Sequence, residues 1–136
     1  MDEALLDTDL LSEVLKGKDA QVLATARQYL TEYQRFAFSE ITVYEIVRGM
    51  RSKRTAQQLA EFLKTVGTSD VFPVSREVLL RAADLWVEAR LGGHPKGDAD
   101  LIIAATALEA GRVLVTGNTA HFSWIAALQV ADWRTP

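Results

Sequence analysis

The sequence predicts an α/β sandwich with a mostly parallel sheet, and three observations predict it. Short apolar runs alternate along the chain with longer stretches of helical period, the pattern of strand and helix units joined by right-handed crossovers. Residues 112–116 read as a continuous β-branched strand, which fits burial on both faces of a sheet. Polar and acidic residues stand just after several of the strands, where open α/β sheets bind their ligands.

In chain order, Ala4, Leu5 and Leu6 form a first strand ending at Asp7, and Leu10, Leu11, Val14 and Leu15 then repeat as a helix up to Gly17. Residues 20–33 read as a second helix and 35–39 as a brief Phe-rich strand. A third helix starts near Thr42 and runs to about Met50. After the basic stretch 48–54, a fourth carries Leu59, Phe62, Leu63 and Val66 on one face before Gly67. Residues 70–74 form a strand. Ser75 then caps a long helix that Gly92, Gly93 and Pro95 stop, and residues 98–110 form a helix closed by Gly111. Residues 128–131 make a final edge strand.

With 136 residues, one domain spanning 1–136 is expected, and 49% hydrophobic with 24% charged residues is the balance of a chain that folds. The apolar runs are too short to span a membrane and the acidic N-terminus does not resemble a signal peptide, so a cytoplasmic location is expected. Cysteine is absent, which excludes disulfides, thiolate metal sites and thiol nucleophiles. With His94 and His121 as the only histidines, a three-histidine zinc site is impossible, and any metal site favours carboxylates and Mg²⁺ or Mn²⁺. A net charge of −3 speaks against a large nucleic-acid footprint, but not against a nuclease that borrows positive charge from metal ions.

Three acids sit in apolar surroundings: Asp7 in LLDTDLL, Glu45 in ITVYEIV and Asp100 in DADLIIAA. Each has a local explanation. Asp7 and Asp100 stand where helix caps stand, and Thr42 to Glu45 matches a capping box. Together, however, they would meet at one rim of a small sheet, where their mutual repulsion calls for a cation, and helix N-termini there would favour a phosphate.

The segments LLDTDLLSEVL, FSEITVYEIVRGM and GDADLIIAATALEAGRVLVTGNTAHF resemble, in order and over nearly the whole chain, the successive motifs of PIN-domain proteins, and among them VapC-type toxins. The resemblance implies a three-layer α/β/α ribonuclease that uses Mg²⁺ or Mn²⁺, forms a homodimer and is inhibited by a small antitoxin. It puts Asp7, Glu45 and Asp100 on the family's acidic positions, with RNA as substrate. Asp9 adds a carboxylate with no assigned role. The family's usual acid after the Val-Thr strand is replaced by Asn118, followed by His121 as a surface loop residue. Asp98 reads first as a cap for its helix and second as a stand-in for that acid.

The expected mechanism is metal-assisted, in-line hydrolysis of a phosphodiester without a covalent intermediate, with Thr8, Thr116 and Asn118 as auxiliary contacts to water or phosphate. Arg48, Arg51, Lys53 and Arg54 form one basic cluster, read either as a solvated face or as a contact for RNA or an antitoxin. Trp86, Trp124 and Trp133 read as buried, Trp86 in the core. The apolar surplus of the fourth and fifth helices is consistent with a homodimer. Two rival readings accompany these: a haloacid-dehalogenase-like phosphatase with Asp7 as nucleophile, and a PIN-like module that binds RNA or protein without cutting.

Overall fold

The computed structural model describes residues 1–136. Its elements run β1 (Ala4–Leu6), α1 (Thr8–Lys16), α2 (Ala20–Tyr33), β2 (Ala37–Ser39), α3 (Glu40–Ser52), α4 (Ala56–Gly67), β3 (Asp70–Phe72), α5 (Arg76–Leu91), α6 (Asp98–Ala110), β4 (Val113–Val115) and β5 (Val130–Ala131). A 3₁₀ turn at Thr119–His121 follows β4. Every strand pair is parallel: β4 lies between β1 and β5, with Leu5 opposite Leu114, while β2 pairs with β3. β1 and β2 lie side by side, so their C-terminal ends share one rim.

Two apolar cores sandwich the strands, because successive side chains of a strand point to opposite faces. Leu5, Ala37 and Leu114 pack with Val78, Ala82 and Leu85 of α5 and with Leu101, Ala104 and Ala105 of α6. Ala4, Leu6, Phe38 and Val115 face the other way, onto Leu10 and Leu11 of α1, Val22 and Ala26 of α2, Ile46 of α3 and Phe62 of α4. The result is the expected three-layer α/β/α arrangement. No helix is long and apolar enough to cross a membrane.

Local signals account for most boundaries. The Asp19 carboxylate accepts from the N–H groups of Gln21 and Val22 to start α2, the Ser75 hydroxyl accepts from Val78 N–H to start α5, and Gly111 closes α6 in the left-handed region. The third helix begins two residues earlier than its apolar pattern predicts, because the Ser39 hydroxyl caps it through Ile41 N–H. The strands are shorter than the apolar runs that predict them, although just outside them Phe36 O and Gln129 O still accept from Asp70 N–H and Leu114 N–H. Trp86, expected in the core, is 43% exposed. The buried stripe of α5 is Val78, Ala82, Leu85 and Ala89, and Trp86 falls one position off it, under the Arg90 guanidinium at 4.6 Å. Trp133 is buried, and Trp124 is partly so.

Candidate active site

The rim where β1 and β4 end is organised around Asp7. Its N–H extends the ladder to Val115 O at 2.8 Å, and it serves as N-cap of α1, accepting from Thr8 N–H at 2.8 Å through Oδ1. Oδ2 accepts from the Thr116 hydroxyl, also at 2.8 Å. Thr116 is itself fully buried and fixed by its own N–H to Ala131 O. Asp7 is only 6% exposed, and burial, reinforced by repulsion from Asp9 and Asp100, raises its pKa from 3.8 to about 7 against the opposing Thr116 and Thr8 bonds. The cap and the cluster are therefore two roles of one side chain.

Glu45 joins the same rim through Thr8, whose hydroxyl donates to Glu45 Oε1 at 2.7 Å and lies 3.0 Å from the buried Thr42 hydroxyl. That arrangement removes the capping-box explanation: α3 starts at Glu40, so Thr42 and Glu45 are interior to the helix and bond to α1. Arg48 stands 3.8 Å from the other Glu45 oxygen. Asp100, in the first turn of α6, accepts through Oδ2 from His121 Nε2 at 2.8 Å. His121, expected to be a plain surface residue, is thus a direct partner of a candidate site residue. Lys96 Nζ reaches His121 Nδ1 at 3.3 Å. No sequence pattern links these three residues, because the contacts cross from the α5–α6 loop and α6 to the turn after β4.

The remaining candidates separate. Asp9 accepts from Gly117 N–H at 3.2 Å, which gives the extra carboxylate a structural task. A Cβ at Gly117 would lie 2.8 Å from Asp9 Oδ2, so a larger residue there would have to displace that carboxylate. Arg134 also bonds the Gly117 carbonyl and pairs with Asp132 at 2.8 Å, tying the C-terminal residues to this loop. Asn118 is exposed, and its backbone N–H donates to the Thr116 hydroxyl at 3.1 Å. Asp98 does not cap α6, whose N-cap is Gly97; it lies beside Leu79, Trp86 and Ile102 along the groove between α5 and α6.

All-oxygen donors suit a hard divalent cation, and the Asp7 carboxylate, whose pKa is raised by burial and then by its acidic neighbours, is what such a cation would relieve. No three acidic or histidine side chains converge closely enough to form a metal cage; Asp100 is bonded to His121 and Glu45 to Thr8. An open groove of about 560 Å³ between α1, α3 and α4 is lined by Thr8 and Glu45 and by Lys16, Lys18 and Lys53. Of the basic cluster read from the sequence, only Lys53 lines it.

The rim of a parallel sheet, with acids just after β1 and on α3 and α6 and no cysteine in the chain, defines a carboxylate-based site. The chain matches the PIN domain family over residues 4–128 and belongs to that family. It is 26% identical over 130 residues to the tRNA(fMet)-specific endonuclease VapC of Shigella flexneri, covering 95% of this chain and 96% of that protein. It is 27% identical over 131 residues to Ribonuclease VapC1 of Haemophilus influenzae, with 95% and 96% covered. Among solved structures it is similar to DNA-bound VapBC from Salmonella typhimurium, with TM-score 0.85, 25% identity, and 98% and 99% of the two chains covered. The match runs through the residues that suggested a phosphatase, and both Asp7 oxygens are engaged, so that rival is set aside.

Proposed function

We propose that this protein is a divalent-metal-dependent endoribonuclease, the toxin of a toxin–antitoxin pair, with Asp7, Glu45 and Asp100 as its metal-holding carboxylates. The observation that carries the reading is the buried Asp7 carboxylate, raised to about 7 in part by Asp9 and Asp100 at the shared end of β1 and β4. Relatives named as ribonucleases over 95% of the chain supply the substrate class. Asp7, Glu45 and Asp100 would hold Mg²⁺ or Mn²⁺, which would supply activation of water and positive charge against the phosphoryl oxygens. Thr116 and Thr8 N–H hold Asp7 in one orientation, and the Thr8 hydroxyl, itself paired with the Thr42 hydroxyl, holds Glu45 toward the same rim. Lys16, Lys18 and Lys53 offer the RNA backbone a positive margin beside the acids. Asp98 and the Asn118 side chain have no part in this arrangement.

Neighbours solved as VapBC complexes support a small antitoxin as partner. The exposed Leu79, Trp86, Val87 and Leu91 on α5 support a homodimer. The deciding experiment is a gel of defined RNAs incubated with Mg²⁺, Mn²⁺ or EDTA. Internal cleavage with metal, none with EDTA and none by Asp7→Asn or Asp100→Asn is expected. Metal-independent cutting, or full activity in either variant, would refute the site; RNA binding without cutting would favour the non-catalytic module.

A further inference from the structure

We propose that Lys96 and His121 form a positioning relay for Asp100, with His121 holding Asp100 Oδ2 through its Nε2–H so that Oδ1 is left for a cation; the metal role rests on the ribonuclease reading above. The geometry assigns the direction of each bond. A lysine ammonium can only donate, so at 3.3 Å it requires an unprotonated Nδ1 on His121. The ring proton then sits on Nε2, which donates to Asp100 Oδ2 at 2.8 Å. Only Oδ2 of Asp100 is engaged by the protein.

The relay has a firm base and a clear purpose. His121 is followed by the buried Phe122, whose ring meets the imidazole edge-on at 5.3 Å, and Trp124 Nε1 donates to the His121 carbonyl at 3.0 Å. Trp124 in turn packs on His94 at 4.9 Å, so the loop that carries Lys96 and the turn that carries His121 are braced together. Asp100, by contrast, projects from an exposed helix turn with its side chain 39% accessible, and nothing else in the protein fixes its rotamer. Holding a carboxylate through one oxygen before a cation arrives removes ordering cost from the binding step, and loss of such outer partners typically lowers metal affinity or activity 10–100-fold.

Three measurements test this. In metal-free protein, ¹⁵N imidazole NMR should show His121 as the Nε2–H tautomer, assigned by its loss in His121→Leu, and Lys96→Met should shift the ring toward the Nδ1–H form. Calorimetric titration with Mn²⁺ should give roughly tenfold or greater weakening in His121→Leu, and near wild-type affinity in His121→Gln, whose amide N–H replaces Nε2–H. RNA cleavage should follow the same order. An Nδ1–H tautomer in the wild type, equal Mn²⁺ affinity in wild type and Leu variant, or a folded Gln variant as impaired as Leu would each overturn the relay. If the wild type cuts no RNA while the tautomer and Mn²⁺ results hold, the ribonuclease reading fails and the relay stands.

Discussion

Asp7 and Asp100 carry the same functional group at the same rim, yet the protein holds them by opposite means. Asp7 is locked by the sheet, with its backbone in the β1–β4 ladder, both oxygens bonded and almost no water around it. Asp100 rides on the surface of α6 and is steered by the His121 and Lys96 side chains. Burial gives Asp7 a fixed position at the cost of an ionisation penalty, whereas the more accessible Asp100 depends on a side-chain partner for its orientation. The proposed site would join one rigid anchor to one adjustable arm.

The comparison breaks most visibly under substitution to Asn. Asp7→Asn and Asp100→Asn should both reduce RNA cleavage to background, but only the first should change stability. The sign follows from the raised pKa: the folded chain keeps a proton on Asp7 that the unfolded chain releases, so this contribution is fully present below about 3.8 and is lost as pH rises to about 7. In EDTA, urea unfolding should show wild-type stability falling across that window by on the order of 4 kcal/mol, and Asp7→Asn should flatten the fall. Asp100→Asn should retain the wild-type slope; a matching loss of slope would mean that the two acids are not held differently.

Smaller effects sharpen the contrast. Thr116→Val strips Asp7 Oδ2 of its buried donor, and a stability loss of about 1–3 kcal/mol by denaturant titration at pH 8 is expected, together with weaker cleavage. Least of all, Asn118→Ala removes an exposed side chain while keeping the backbone bond to Thr116, so stability should stay within about 0.5 kcal/mol and cleavage unchanged. A large loss there would restore Asn118 to the site.

Much of this was legible in the chain because it depends on neighbours in sequence. The alternation of Ala4, Leu5 and Leu6 between two cores, the caps at Asp19 and Ser75, and the stop at Gly111 follow from strand pleat and backbone sterics, which operate over a few residues. Asp7 was legible for the same reason, as an acid placed directly after an apolar strand. Trp86 was misplaced because helical spacing assigns a face only to within a residue or so, and the buried stripe of α5 runs through Leu85 instead.

What the sequence by itself determined is thus the layered α/β architecture and a short list of candidate acids. The tertiary structure decided what each acid does there. It turned Glu45 from a capping residue into a partner of Thr8, gave Asp9 the Gly117 amide, sent Asp98 toward α5 and joined Asp100 to His121, 21 positions further along the chain. The physical reason is that side-chain hydrogen bonds depend on distance in space, and only the packing of α1, α3, α6 and the turn after β4 on one sheet edge brings these partners within reach.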